Sequence, residues 1–233
     1  MVLLIGKLIH FTLGAFVLAY GVDLTRLARL GLSPWDVLHE GIALNTPLSF
    51  GVASIFVGVV LVILSAFMGI RPRIGTVINM VVVGLMIDAI LLWNLIPMPA
   101  AVSHALGVSP TGTRYGYLVG GSIVLGIGSA WYVTANLGAG PRDSLMLGLS
   151  RLTGWQVGIV RTMLEGTALL LGWLIGGPVG VGTIISALII GWAIQGALAV
   201  FGRLALVPLF SGIIELPLKR EPKQPGANDH AGE

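Results

Sequence analysis

The sequence predicts an all-α membrane protein of about six transmembrane helices and two short non-spanning helices, built from two internal repeats of inverted topology. Three observations predict this class. Of the 233 residues, 55% are hydrophobic and only 10% are charged. A soluble domain carries roughly 25% charge, so much of this apolar surface must face lipid. Apolar stretches near 7–27, 49–69, 74–96, 113–135, 155–176 and 182–201 each approach or exceed the roughly 20 residues that cross a bilayer as a helix. They lack the alternating blocks of about ten residues from which a transmembrane β-barrel is made. Finally, the chain repeats itself: a shift of 107 positions lays residues 7–92 on 114–199 without a gap. Gly14 falls on Gly121, Gly21 on Gly128, Pro34 on Pro141, Asp36 on Asp143 and Gly84 on Gly191. Glycine and proline matches in constant register carry weight because these residues answer to backbone geometry.

The elements follow in order. Lys7 and a first apolar run could pass for a signal peptide, but residues 7–27 have a retained copy deep in the chain and are expected to be a span. "GLSPWDVLHEG" (31–41) then reads as a helix start, with Ser33 at the N-cap, Pro34 at the first helical position and Asp36 in the first turn. "GAGPRDSLMLG" (138–148) is its copy. Helices over 33–45 and 140–152 would be about 20 Å long, short of the hydrocarbon thickness. The first is amphipathic, with Asp36, His39 and Glu40 on one face and Trp35, Leu38 and Ile42 on another. Lying flat at the interface and dipping inward both fit it, whereas the less polar copy fits burial better.

If the short helices do not cross, each repeat has three crossings, an odd number, and the second repeat is upside down relative to the first. Lys7, Arg71, Arg73, Arg142, Arg151, Arg203 and the tail cations Lys219, Arg220 and Lys223 then share a side against Arg26, Arg29 and Arg114. The positive-inside rule favours this arrangement over eight spans and puts both termini in the cytoplasm. The uncharged segment 97–112 is expected to be an extracytoplasmic loop. Residues 1–202 form one transmembrane domain. The apolar segment 203–218, interrupted by Pro208 and Pro217, is expected at the interface, and 219–233 as a disordered cytoplasmic tail.

Several function classes drop out. The chain has no cysteine, which removes thiolate chemistry, and its four histidines are scattered. "GGPVGVG" lacks the lysine and hydroxyl of a phosphate loop, and "HEGIA" is no zinc motif. The net charge of +3 comes from cations beside the spans, so no nucleic-acid partner is implied. We expect no enzyme activity, no cofactor and no metal.

The residues that could carry chemistry are few. Asp88 lies within the third span in "GLMIDAIL". An ionisable group at that depth costs roughly 3 kcal/mol and marks either an ion-coupled site or a buried acid neutralised by a neighbouring helix, for which Arg161 is a candidate. Asp36 and Asp143 cap their helices on the ordinary reading and bind a ligand on the sharper one. Arg161 and Glu165 lie one turn apart and can neutralise each other. They have no charged equivalents in the first repeat, where Ser54 and Gly58 stand. Thr76 and Asn79, matched by Thr183 and Ser186, serve helix packing or line a polar cavity. Glycine stripes such as Gly112, Gly116 and Gly120 serve packing within and between copies equally, leaving a homo-oligomer open.

"GLSPWDVL", "GIRPRIGTVINMVVVGLMIDAIL", "GAGPRDSL" and "GVGTIISALIIG" together resemble the bacterial YczE/YyaS/YitT-type integral membrane proteins over nearly all of residues 1–202. The second half departs from the pattern: Arg142 stands where the first has Trp35, and Gln195 where it has Asp88. The resemblance implies a plasma-membrane protein of transport function. The expectation is a secondary transporter or exporter of a small organic molecule, proton-coupled through an intramembrane carboxylate. Inverted repeats with short helices at equivalent points are a recurring transporter plan. The alternative is a membrane scaffold or accessory protein for a biosynthetic or envelope complex.

Overall fold

The computed structural model describes residues 2–70, 74–137 and 140–204. Among these residues there are nine helices and no strand: α1 (Val2–Ala28), α2 (Pro34–Asn45), α3 (Phe50–Phe67), α4 (Ile74–Leu92), α5 (Pro99–Leu106), α6 (Pro110–Val133), α7 (Pro141–Thr153), α8 (Val157–Leu174) and α9 (Val181–Leu204). Six of them, α1, α3, α4, α6, α8 and α9, are long and apolar enough to cross a membrane. The protein is therefore a polytopic helical membrane protein in contact with lipid.

Local chemistry sets most of the boundaries. Proline opens α2, α5, α6 and α7, where its missing N–H costs nothing. Ser49 and Ser109 cap α3 and α6 by accepting from the N–H groups of Val52 and Gly112. The uncharged segment 97–112 is not wholly a loop. It contains α5, which ends at Gly107 in the left-handed conformation. α9 runs through Leu204, so the first two residues of the segment expected at the interface are helical. The remainder of that segment and the tail lie outside the described residues.

The duplication is expressed in space as a two-fold relation. α1 and α6 pack along each other from the His10–Thr134 hydrogen bond to that of Arg114 with Ala28, and glycines let their backbones touch. Gly14 faces Tyr132 and Gly21 faces Leu125, while Gly121 faces Leu24 and Thr25 and Gly128 faces Leu18. Partner numbers fall as residue numbers rise, so the two helices are antiparallel. Tyr132 is the copy of Thr25 and Leu125 the copy of Leu18. Each contact thus maps onto another when the halves are exchanged. Outside this pair the relation persists: Gly41 of α2 lies against Ile175 after α8, and its copy Gly148 of α7 lies against Met68 after α3.

Antiparallel α1 and α6 decide the topology. If α2 crossed the membrane, three crossings would separate α1 from α6 and the two would run the same way. They do not, so only α3 and α4 cross between them, and α2 returns to the face where it began. The halves are inverted. The start of α2 lies deep: Trp35 packs with Val57 and Leu61, in the middle of α3, and with Leu145 and Ala168. Its end lies shallow, where Asn45 Nδ2 donates to the carbonyl of Ile175. Trp35, Asp36 and His39 are all buried, so α2 dips inward and does not lie flat at an interface.

The halves differ in one respect. α3 and α4 are closely packed through Gly51 and Gly84, and a Cβ on either would meet the other's carbonyl. Their copies, Gly158 of α8 and Gly191 of α9, have nothing within 4 Å. α8 and α9 stand apart.

Candidate functional site

The starts of α2 and α7 point at each other from opposite sides of the bundle, and a cavity of about 450 Å³ lies where they converge. All the described helices except α5 contribute to its wall. Ser33, Pro34, Trp35, Asp36 and His39 come from the first short helix, and Gly140, Pro141, Arg142 and Asp143 from the second. Apolar side chains of α1, α6 and α9, among them Leu18, Val22, Leu125, Ile190 and Ile194, form much of the remainder. This volume lies within the range of small-molecule sites.

Trp35 and Arg142 occupy the same position in the two repeats, and they touch: the Arg142 guanidinium sits 4.9 Å from the centre of the Trp35 ring. A position that meets its own copy lies on the two-fold axis. Two arginines there would repel at membrane depth; tryptophan at one of the two positions instead gives a cation–π contact of about 1 kcal/mol. Arg142 is accordingly a cavity residue, not one of the surface cations that set topology.

The carboxylates are turned back on their own helices. Asp36 Oδ2 accepts from Ser33 Oγ at 2.5 Å, and His39 Nδ1 stands 3.6 Å from Asp36 Oδ1, too far for a good hydrogen bond. His39 is 3% exposed and its Nδ1 has no hydrogen-bond partner among the described residues. Asp143 accepts from the Gly140 N–H at the start of α7. Asn79 of α4 lines the same cavity and pairs with Tyr132 of α6.

Arg161 and Glu165 also line the cavity, from α8, joined at 2.9 Å between Nε and Oε1. Their side chains are 59% and 37% exposed. A pair so open within a span faces hydrated space more readily than lipid, and it stands on the helix that has separated from α9.

Two sequence candidates lie elsewhere. Asp88 is not among the cavity residues. Its Oδ1 accepts from the Gly51 N–H at 2.9 Å and its Oδ2 from Ser49 Oγ at 2.5 Å, so it caps α3 from the end of α4. It holds these two spans together, and Arg161 does not neutralise it. Thr76 is buried beside Gly75, which packs against the carbonyl of Leu137.

The sequence reading overlooked Asp23. It lies in α1, fully buried, with Arg26 Nη1 3.2 Å from its Oδ1. Arg26 also contacts Glu40 of α2 at 3.0 Å and lies 4.0 Å over the Phe50 ring. Asp23 Oδ2 has no partner among the described residues. The signal was present in "YGVDLTRL", an acid and a base one turn apart inside an apolar run. Its copy is Ala130, and the copies of Arg26, His39 and Glu40 are Val133, Met146 and Leu147. Repeat symmetry therefore gave it no emphasis.

Among the described residues no cluster of His, Asp or Glu could hold a metal ion. No solved structure matches this chain. A family model described as "Family of unknown function (DUF6198)" matches residues 5–198. The chain is 40% identical over 178 residues to the "Uncharacterized membrane protein YczE" of Bacillus subtilis (strain 168), covering 76% of this chain and 78% of the relative. It is 34% identical over 192 residues to an "Uncharacterized protein" of Haemophilus influenzae (strain ATCC 51907 / DSM 11121 / KW20 / Rd), covering 82% and 83%. To the "Uncharacterized protein YyaS" of Bacillus subtilis it is 25% identical over 181 residues, covering 77% and 86%. The inverted bundle just described spans nearly all of the matched residues; the chain belongs to the DUF6198 family and is a relative of YczE.

Proposed function

We propose that this protein is a secondary transporter of a small organic molecule, working by alternating access to the central cavity. One observation carries the reading: the cavity lies on the axis relating two inverted repeats, between the starts of two dipping helices. In such a fold the same cavity can open to either side if the halves exchange conformations. The two halves already differ in the required way. α3 and α4 are closed by Asp88, Gly51 and Gly84 near the face where α1 ends. α8 and α9 are apart, and Gln195 stands where Asp88 does. Exchange of these two arrangements moves the opening across the membrane.

Orientation follows from charge. Lys7, Arg151 and Arg203 lie toward the face where α1 begins, and Arg26, Arg29 and Arg114 toward the other. These described cations balance three to three. The order of the others along the chain, Arg71 and Arg73 between α3 and α4 and the rest after α9, favours both termini in the cytoplasm of a bacterial inner membrane by the positive-inside rule. The cavity then opens inward between α8 and α9.

The chain has no cysteine, so a single cysteine at Ser129, which lines the cavity, can be probed in right-side-out and inverted vesicles with a membrane-impermeant thiol reagent. Alternating access predicts labelling from both faces. Labelling from one face alone would exclude it and leave a scaffold or accessory role as the better account.

A further inference from the structure

Resting on the transport reading, the chemistry of the cavity narrows what it carries. The wall holds three carboxylates (Asp36, Asp143 and Glu165) and two guanidiniums (Arg142 and Arg161). About half a positive charge at the start of each short helix offsets the difference. Net charge therefore does not choose a ligand; hydrogen bonding does.

Each carboxylate already has one donor: Ser33 for Asp36, the Gly140 amide for Asp143 and Arg161 for Glu165. The strongest group in the wall without a hydrogen-bond partner is a donor. Arg142 is exposed to the cavity, and among the described residues its guanidinium has the Trp35 face and no hydrogen-bond acceptor. No side chain caps α2 or α7, unlike α3 and α6. The amides at positions 35 and 36 and at 142 and 143, past each opening proline, therefore lack intrahelical partners. His39, 3% exposed, stands behind Asp36 with its Nδ1 3.6 Å from Oδ1. A guanidinium without an acceptor beside the free amides of two converging helix starts is complementary to an oxyanion. Beyond this polar belt the wall is apolar, with Leu18, Leu125 and Ile194 in it.

We propose that the cavity takes an amphiphilic organic anion, its carboxylate or phosphate-type oxyanion against Arg142 and the starts of α2 and α7 and its apolar body against α1, α6 and α9.

The test uses the purified full chain and isosteric probes: 4-phenylbutyrate, 4-phenylbutylamine and 4-phenylbutanol, with phenyl phosphate and inorganic phosphate. Thermal stabilisation and quenching of tryptophan fluorescence report binding, and Trp35→Phe assigns the quenching to the stacked ring. At least one of 4-phenylbutyrate and phenyl phosphate should bind at least about tenfold more tightly than the amine and the alcohol, as expected for a charge-assisted hydrogen bond. Which of the two is preferred separates carboxylate from phosphate cargo. Arg142→Gln should lose this preference and Arg142→Lys keep part of it. Inorganic phosphate alone should bind more weakly, since it lacks the apolar body.

Equal or tighter binding of the amine, binding of neither organic anion, or anion binding unchanged in Arg142→Gln would overturn the proposal. The outcome separates from that of the transport reading. Labelling of the Ser129 cysteine from both faces without anion binding sinks this inference alone. Anion binding with labelling from one face keeps the site and sinks transport.

Discussion

Arg26 shows how charge is tolerated at the residue scale in this bundle. It lies within reach of Asp23 and Glu40 at once and covers its carbon face with Phe50. The carboxylates are not equivalent: Asp23 is fully buried and Glu40 is 24% exposed. Removing the shared cation strands a charge with no access to water, whereas removing Glu40 leaves the Asp23–Arg26 pair intact. Arg26→Gln should therefore destabilise by about 3 kcal/mol, and Glu40→Gln by under about 1 kcal/mol. Denaturant unfolding in detergent checks this, and similar losses in the two variants would contradict the ranking. Asp88 stands out in the sequence because it sits inside a very apolar run. Asp23 does not, because its copy is Ala130 and the duplication gives it no emphasis.

At the scale of elements, the short helices and the α3–α4 pair define what can move. The start of α2 was legible as Ser-Pro-x-Asp grammar and its short length disfavoured a crossing, but only the antiparallel α1–α6 pair excluded one. Its depth was not legible, because an amphipathic pattern is satisfied equally by an interface and by a polar cavity. Asp88 was legible as costly, but its partner came from another span, and no pattern within α4 announces the N-terminus of α3. As the cap of α3, Asp88 predicts two consequences of substitution. Asp88→Asn should cost about 1–2 kcal/mol in stability, typical of a lost cap. It should also loosen α3 from α4. A cysteine at Ser54, which lines the cavity from α3, should then react faster with impermeant reagent from the face where α1 ends. Unchanged reactivity in the less stable variant would mean that Asp88 supports the fold without latching the opening.

The whole molecule is organised by the antiparallel α1–α6 pair, and glycine sets its distance. Gly21 and Gly128 are copies of one another, and a Cβ on either would strike the backbone of the facing helix. Leucine at either position should therefore reduce the monodisperse folded fraction severely, by overpacking of at least 1–3 kcal/mol. Gly116 and Gly120, from the stripe conspicuous in the sequence, have nothing within 4 Å, so Gly120→Leu should leave that fraction unchanged in size-exclusion chromatography. Equal effects at Gly120 and Gly128 would overturn the packing order.

The contrast between these glycines marks the boundary between what the chain states openly and what folding adds. Composition and periodicity were enough for a helical membrane protein with six spans, because the bilayer imposes a length and polarity that any linear reading can measure. The duplication was enough for two equivalent halves, because glycine and proline keep register with backbone geometry. Which faces meet, that positions 35 and 142 touch on the axis, and that Asp88 caps a neighbouring span while Arg142 enters the cavity are properties of the assembled bundle. They depend on contacts between residues tens of positions to about a hundred apart, and such contacts leave no local trace in a sequence whose lipid-facing and core-facing surfaces are equally apolar.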